Sequence, residues 1–309
     1  MNKNISRREA SKFILTGVAT TMLNLGSAAH FNKETMHKRI IPSSGEQLPV
    51  VGLGTWQTFD VGHSAAELDP LRAVLTTLIE HGGSVIDSSP MYGRSEKVVG
   101  QLTKELGIKD KIFEATKVWT TGQKEGEQQI DDSFRLLQAD PIELFQIHNL
   151  VDWRTQLKTL RRLKDNNKIK YIGLTHYHSG GYDNMEQLMK AEQIDFVQIN
   201  YNLAVRAAAD RILPLAKDRG IAVLINRPYE GGSLFRNVKK LQLPEWVAEF
   251  DANSWGQFFL KYILANDAVT CVIPGTANPH HMLDNVQAGY GTLPDKTHQE
   301  KMVKFLESI

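Results

Sequence analysis

Short apolar runs recur along the chain and alternate with longer segments in which apolar residues fall on one face of a helix. The runs are rich in valine and isoleucine, which is typical of strands that are covered on both faces. The predicted strands are residues 50–54, 84–87, 112–117, 144–148, 171–174, 196–200, 222–225 and 270–273.

The longer segments predict helices between these strands. Residues 67–79 carry leucine and valine at helical spacing. Residues 95–106 begin with Ser95 and end before Gly107, a favourable residue at each end. The other predicted helices are residues 130–137, 155–165, 184–191, 207–218 and 280–288.

Eight strand–helix repeats predict an α/β fold, a closed (β/α)8 TIM barrel over residues 31–309. A doubly wound open sheet is the alternative. The first predicted strand contains Gly52 and Gly54 but is followed by no third glycine, which disfavours a dinucleotide bound at a Rossmann turn. The composition shows no linker that would separate two globular domains.

A polar turn at residues 43–46 lies between two short apolar stretches, residues 40–41 and 48–50. This pattern predicts an N-terminal β-hairpin that closes the amino-terminal mouth of the barrel. Tryptophans and prolines scattered over residues 228–255 predict a longer insertion after the seventh strand.

Residues 1–30 have the order of an export signal: a positive region, an uncharged apolar stretch and small residues. Arg7 and Arg8 follow a serine and resemble a twin-arginine (Tat) signal. We therefore expect export to the periplasm through the Tat machinery, the alternative being a tail on a cytoplasmic protein. The stretch 13–25 is too short and too polar for a stable membrane anchor.

Composition narrows the range of functions. Hydrophobic residues make up 41% and charged residues 23%, as in a globular protein, and the net charge of +1 gives no electrostatic case for nucleic-acid binding. The single cysteine, Cys271, excludes an intramolecular disulfide and a cysteine-based zinc cluster. It lies in an apolar run, so we expect a buried small residue.

Four polar residues lie at the ends of three consecutive predicted strands: Asp87, Tyr92, Lys117 and His148. Each alone is compatible with a turn, surface or core role. Together they would share the catalytic face of a barrel. Lys117 would pair with Asp87 and lower the pKa of the Tyr92 phenol from its usual ~10, which makes it a general acid. His148 would donate a hydrogen bond to the substrate oxygen or pass a proton to Tyr92.

These residues and their surroundings, over residues 38–290, resemble the aldo-keto reductase superfamily. The similar segments are 54–56 (Gly-Thr-Trp), 86–96 (the Asp-x4-Tyr-Gly-x-Ser-Glu signature), 116–117 and 146–148. The resemblance implies that Tyr92 donates the proton, that Lys117 and His148 tune it, and that Asp87 holds Lys117. It also implies hydride transfer from NADPH or NADH to an aldehyde or ketone without a metal.

The resemblance also assigns residues to the nicotinamide end of the cofactor. Gln198 is expected to hold the carboxamide, together with Thr175 and His176, which stand where the family has Ser-Asn. Asn226 stands where the family places an aromatic residue, and Arg227 is expected to meet the pyrophosphate.

At the adenine end, Pro274, Gly275 and Thr276 are expected to form the phosphate loop, and Asn285 to lie near the adenine. His281 stands where a basic residue often binds the 2′-phosphate. NADP is therefore expected from its prevalence in the family, and NAD is possible.

Two further groups of residues have alternative interpretations. His176 and His178 form a potential metal pair, but no nearby carboxylate completes a ligand set, so we expect no metal site. Three tryptophans that follow strands, Trp56, Trp119 and Trp153, are predicted to line a pocket for a small-molecule carbonyl; the alternative is local packing under loops.

The sequence favours an NAD(P)H-dependent aldo-keto reductase. The alternative is a cofactor-binding, redox-sensing or accessory barrel with little turnover, which the departures at His176, Asn226 and His281 and the export signal motivate. A metal-dependent isomerase or lyase on the same barrel is a third option.

Overall fold

The computed structural model describes residues 35–309, and the predicted twin-arginine segment, residues 1–30, lies outside them. Two short antiparallel strands come first, β1 (Lys38–Ile40) and β2 (Gln47–Pro49). They form the predicted hairpin. Ile41 and Leu48 are buried in one cluster with side chains from inside the barrel. The hairpin thus closes the amino-terminal mouth of the barrel, as predicted.

Eight parallel strands follow in chain order and form the barrel wall. Their bounds are β3 (Leu53–Gly54), β4 (Val85–Asp87), β5 (Phe113–Val118), β6 (Ile142–His148), β7 (Ile169–Thr175), β8 (Phe196–Asn200), β9 (Ala222–Asn226) and β10 (Cys271–Val272). The first and last strands meet through the parallel bridges Val51–Val272 and Gly54–Gly275. The (β/α)8 barrel is therefore confirmed, and the open doubly wound sheet is excluded.

Helices surround the wall. Their bounds are α1 (Ala65–Glu80), α2 (Ser95–Glu105), α3 (Gln123–Leu137), α4 (Trp153–Asp165), α5 (Tyr182–Ala191), α6 (Ile212–Arg219), α7 (Ser233–Val238), α8 (Trp255–Leu264), α9 (Pro279–Gln287) and α10 (Lys296–Glu307). The chain bends at Arg211, where φ is −128° and ψ is −69°, so the helix expected over 207–218 is a 3-10 turn followed by α6.

The barrel has an inner and an outer core. Phe113, Tyr171 and Phe196 pack inside the barrel with ring centroids 5.5 to 5.9 Å apart. The larger outer core lies between the wall and the helices. Cys271 is fully buried in the inner core, as expected, and burial raises the pKa of its thiol. Over residues 35–309, no helix is both long and apolar enough to span a bilayer.

Candidate active site

A buried ion pair forms the floor of the site at the carboxyl ends of the strands. Asp87 is the last residue of β4, and Lys117 lies near the end of the neighbouring strand β5. Lys117 Nζ donates to Asp87 Oδ2 at 2.6 Å and to the main-chain oxygen of Ser88 at 2.6 Å. Both side chains are almost completely excluded from solvent. Burial lowers the pKa of Lys117, but the interactions with Asp87 and Tyr92 raise it by more. The net shift of the pKa is therefore upward, and Lys117 keeps its positive charge.

Tyr92 lies above this pair in the turn between β4 and α2. Lys117 Nζ is 4.9 Å from the centre of the Tyr92 ring. His148, the last residue of β6, packs its ring edge-on against Tyr92, with ring centroids 5.9 Å apart and an interplanar angle of 88°. The structure therefore brings Asp87, Tyr92, Lys117 and His148 together, as the sequence predicted.

The acidity of Tyr92 differs from the prediction. Burial raises the pKa of its phenol, and the charge and hydrogen bonding of Lys117 lower it by less, so the net shift is upward. The expected net fall of the pKa is therefore wrong, because the removal of the phenolate from water outweighs the nearby ammonium. Lys117 nevertheless keeps the pKa of Tyr92 below the value that burial alone would produce.

His148 is kept neutral by its surroundings. Burial, then the positive charge of Lys117 and then His176, lower the pKa of the imidazole to about 3. Its Nδ1 lies 3.1 Å from Oγ of Ser89, and the Trp119 ring lies 6.2 Å from the His148 ring. A neutral imidazole can donate one hydrogen bond, and His148 lies where a substrate oxygen near Tyr92 would receive it.

Two buried glutamines hold the second oxygen of Asp87. Gln146 Nε2 donates to Asp87 Oδ1 at 3.0 Å, and Gln198 Nε2 donates to the same oxygen at 2.8 Å. Gln198 Oε1 lies 3.3 Å from Thr175 Oγ1 and 3.4 Å from Asn226 Nδ2, both of which donate to it. Gln198 thus links the carboxylate to the residues assigned to the nicotinamide.

The nicotinamide-side residues fit a primary amide ligand. Asn226 Nδ2 donates to the main-chain oxygen of His176 and to Gln198. Its Oδ1 is shielded from solvent and has no hydrogen-bond partner among residues 35–309. A carboxamide N–H would satisfy this acceptor. Thr175, His176, Gln198 and Asn226 therefore form one cluster that can hold the nicotinamide end of a cofactor.

Arg227 is already paired within the protein. Its Nη2 lies 2.7 Å from Oε1 of Glu230, and Asn202 Nδ2 donates to the other Glu230 oxygen at 2.9 Å. A pyrophosphate would share the guanidinium with this carboxylate, so the positive charge that it meets is reduced.

The loop assigned to the adenine end follows β10. The main-chain N–H of Gly54 donates to the carbonyl of Pro274 at 3.2 Å. A Cβ on Gly275 would lie 3.1 Å from the Gly54 carbonyl, a tight contact that the backbone of Gly54 could relieve only by a small shift. Thr276 Oγ1 accepts from the main-chain N–H of Asn278 at 3.0 Å.

His281 is exposed at the beginning of α9, whereas Asn285 is buried and its Oδ1 accepts from the Tyr229 hydroxyl at 2.5 Å. The sequence did not predict this partner of Asn285. Because the side-chain oxygen of Asn285 is engaged by Tyr229, the side-chain group left to bind a ligand is the amide nitrogen.

The three predicted pocket tryptophans separate into two kinds. Trp119 is 42% exposed and lies beside His148, and Trp56 is 48% exposed on the same face of the barrel. Trp153 is the first residue of α4 and is partly buried against the outer core. The guanidinium of Arg154 lies 4.3 Å from the centre of its ring. Trp119 thus contacts the site, while the contacts of Trp153 favour the packing alternative.

Sequence reasoning missed two contributors to the site, Gln146 and Ser89. A polar residue within the apolar run of β6 was a signal for Gln146, because inward-facing positions alternate along a barrel strand. Ser89 follows Asp87 by two positions, and nothing in the sequence shows that it contacts His148. Within residues 35–309, no group of three or more histidine, cysteine, aspartate or glutamate residues is arranged to hold a metal ion.

Comparisons with known proteins agree with this architecture. A profile described as "Aldo/keto reductase family" matches residues 50–301. An aldo-keto reductase of Bacillus subtilis is 28% identical over 200 residues, 60% of each chain. A methylglyoxal reductase of Escherichia coli is 27% identical over 258 residues, 81% of this chain and 89% of the relative.

Solved structures share the fold. An aldo-keto reductase from Klebsiella pneumoniae in complex with NADPH superposes with a TM-score of 0.72 at 22% identity, covering 88% of this chain and 95% of that one. The holo form of an aldo-keto reductase from Bacillus halodurans gives a TM-score of 0.71 at 22% identity, covering 88% and 96%.

Proposed function

The chain belongs to the aldo/keto reductase family, and on that premise we propose that it is an NAD(P)H-dependent oxidoreductase that reduces an aldehyde or ketone to an alcohol. One observation carries the proposal: the Lys117 ammonium, held 2.6 Å from Asp87, lies 4.9 Å from the centre of the Tyr92 ring, against which His148 packs. A phenol between an ammonium and a neutral imidazole suits proton delivery to a carbonyl oxygen.

The reduction needs a hydride at the carbonyl carbon and a proton at the carbonyl oxygen. The bound reduced nicotinamide supplies the hydride. Tyr92 gives its phenolic proton to the oxygen, and the phenolate that remains is stabilised by Lys117. His148 holds the oxygen by a hydrogen bond without a change in its own charge. Asp87 keeps Lys117 in place, and its negative charge balances the ammonium while Tyr92 is protonated.

The cofactor is NADP(H), with NAD(H) as a second candidate. Thr175, His176, Gln198 and Asn226 would hold the carboxamide. The phosphates would be met by Arg227, Pro274, Gly275 and Thr276, and the adenosine by His281 and Asn285. Residues 274–281 contain neither lysine nor arginine, so a 2′-phosphate meets only imidazole at this loop. Titration of the protein's tryptophan fluorescence with NADPH and with NADH measures which nucleotide it prefers.

The substrate class is a small-molecule aldehyde or ketone. Three of the relatives, two from Escherichia coli and one from Yersinia pestis, are named methylglyoxal reductases, so methylglyoxal is the first probe. The exposed Trp119 next to His148 favours apolar or aromatic carbonyls as the second class.

The function is tested by cofactor oxidation with methylglyoxal and with a panel of aromatic aldehydes, in the presence of a chelator. We expect turnover that persists in chelator and alcohol formed in equal amount to cofactor oxidised. Tight cofactor binding without turnover on any carbonyl would contradict the proposal and favour the accessory, redox-sensing alternative.

We further propose that the protein is exported to the periplasm by the Tat machinery, with its cofactor bound before export. The support is Arg7 and Arg8 after a serine, followed by the uncharged stretch 13–25. Cell fractionation of the full chain and of the Arg7→Lys/Arg8→Lys variant tests it. The parent should be periplasmic and the variant cytoplasmic; a parent that stays in the cytoplasm contradicts export.

A further inference from the structure

Ser89 and His148 form a buried contact that the family resemblance does not assign. Ser89 is fully buried and His148 is 6% exposed. Oγ of Ser89 lies 3.1 Å from Nδ1 of His148 and accepts a weaker hydrogen bond, at 3.4 Å, from the main-chain N–H of Met91. The two residues come from the loop after β4 and the end of β6, so the barrel brings this contact together.

The direction of this hydrogen bond follows from counting protons. Among residues 35–309, Nδ1 of His148 is the one acceptor within reach of the Ser89 hydroxyl proton. If Nδ1 carried a proton, it would donate to Oγ and leave a buried hydroxyl proton without an acceptor. With the hydroxyl donating to Nδ1, the main-chain N–H of Met91, the hydroxyl and the ring nitrogen are all satisfied.

We infer that Ser89 is a positioning residue that fixes His148 in the tautomer protonated at Nε2, so that this N–H donates to the carbonyl oxygen of the substrate. Nε2 has no hydrogen-bond partner among the described residues, and the ring packs against Tyr92 and Trp119. The proposed function puts the substrate carbonyl beside these rings. The other tautomer, protonated at Nδ1, would direct the lone pair of Nε2 at the substrate oxygen and repel it. The neutral state of the buried imidazole agrees with this role, since only a neutral ring has two tautomers.

The inference is tested first on the free full-length protein labelled with 15N-histidine. The signals of His148 are identified by their loss in His148→Gln. We expect a protonated Nε2 and an unprotonated, hydrogen-bonded Nδ1. In Ser89→Ala the Nδ1 resonance should move toward that of a nitrogen without a hydrogen bond, and Ser89→Thr should restore it. Ser88→Ala, which removes the neighbouring buried hydroxyl, should leave both signals in place.

A protonated Nδ1 in the parent, or an unchanged Nδ1 signal in Ser89→Ala, would overturn the inference. The nitrogen signals of the parent protein alone show which tautomer is present, so the inference is tested even if Ser89→Ala does not fold. The kinetic part rests on the proposed function. In Ser89→Ala, kcat for carbonyl reduction should fall roughly three- to tenfold, the range of equilibrium that one neutral hydrogen bond controls, while the Kd of NADPH stays unchanged. If the parent reduced no carbonyl, the proposed function would fail, but the nitrogen signals would still test Ser89.

Discussion

Asp87 accepts a hydrogen bond from Lys117 at 2.6 Å, in a place where both side chains are almost fully excluded from water. Such a pair adds little net stability over apolar residues, but the loss of one partner leaves an uncompensated charge. The pair is therefore better explained by the chemistry above it than by stability. It holds an ammonium beneath Tyr92.

Asp87→Asn tests this explanation. The substitution keeps the shape of the side chain and removes its charge, so we expect the free energy of unfolding to fall by about 3 kcal/mol. We also expect kcat to fall by roughly tenfold or more, because Lys117 loses the group that keeps it charged. Denaturant unfolding and steady-state kinetics measure both. Parent-like values in both experiments would contradict the role of the pair.

Gln146 and Gln198 provide a matched comparison, since both donate to Oδ1 of Asp87. Replacement of either by methionine removes a hydrogen bond to a charged group and should lower the free energy of unfolding by roughly 1.5–3 kcal/mol. Gln198→Met should also weaken cofactor binding, because Gln198 contacts Thr175 and Asn226. Equal cofactor Kd values in the two variants would show that Gln198 has no part in holding the nicotinamide.

The buried, neutral His148 predicts a defined acid sensitivity. Its pKa in the folded protein is about 3, against 6.5 for the free side chain, so the unfolded chain takes up a proton that the folded protein does not. The stability that the neutral ring provides is complete above pH 6.5 and is lost as the pH falls toward 3, by about 1.4 kcal/mol per pH unit. Between pH 6 and pH 4.5, the parent should therefore lose stability more steeply than His148→Gln. Identical slopes in urea unfolding would contradict this.

Trp119 and Trp153 should respond differently to substitution. Trp119→Ala removes an exposed ring beside His148, so KM for aromatic aldehydes should rise severalfold with little change in stability. Trp153→Ala removes a partly buried ring from the outer core and should lower the free energy of unfolding by about 1–3 kcal/mol, with KM nearly unchanged. The reverse assignment would show that Trp153, and not Trp119, lines the pocket.

The strands were predictable because they are short apolar runs, and the four main site residues because they lie at or just after the ends of three of these runs. Asp87 and His148 end such runs, Lys117 lies one residue before the end of β5, and the parallel barrel places all three on one face. The hairpin was predictable for a similar reason, because its polar turn separates two apolar stretches.

The remaining features depend on contacts that sequence patterns do not carry. Helix α8 is buried at nine of its ten residues, so it lacks the one-sided pattern that reveals a surface helix, and it was not predicted. The pKa of Tyr92 rises because the fold buries the phenol, which outweighs the effect of Lys117. The contact of Ser89 with His148 joins residues 59 positions apart.

Tyr92→Phe is the most direct test of the whole account. The variant keeps the ring and removes only the hydroxyl that, in the proposed function, donates the proton. We expect kcat for carbonyl reduction to fall by about 10²–10⁴-fold while the Kd of NADPH, measured by fluorescence titration, stays within about twofold of the parent. Tyr177→Phe, an exposed tyrosine on the same face, should retain parent activity. A Tyr92→Phe enzyme that reduced the carbonyl panel as fast as the parent would show that Tyr92 is not the proton donor.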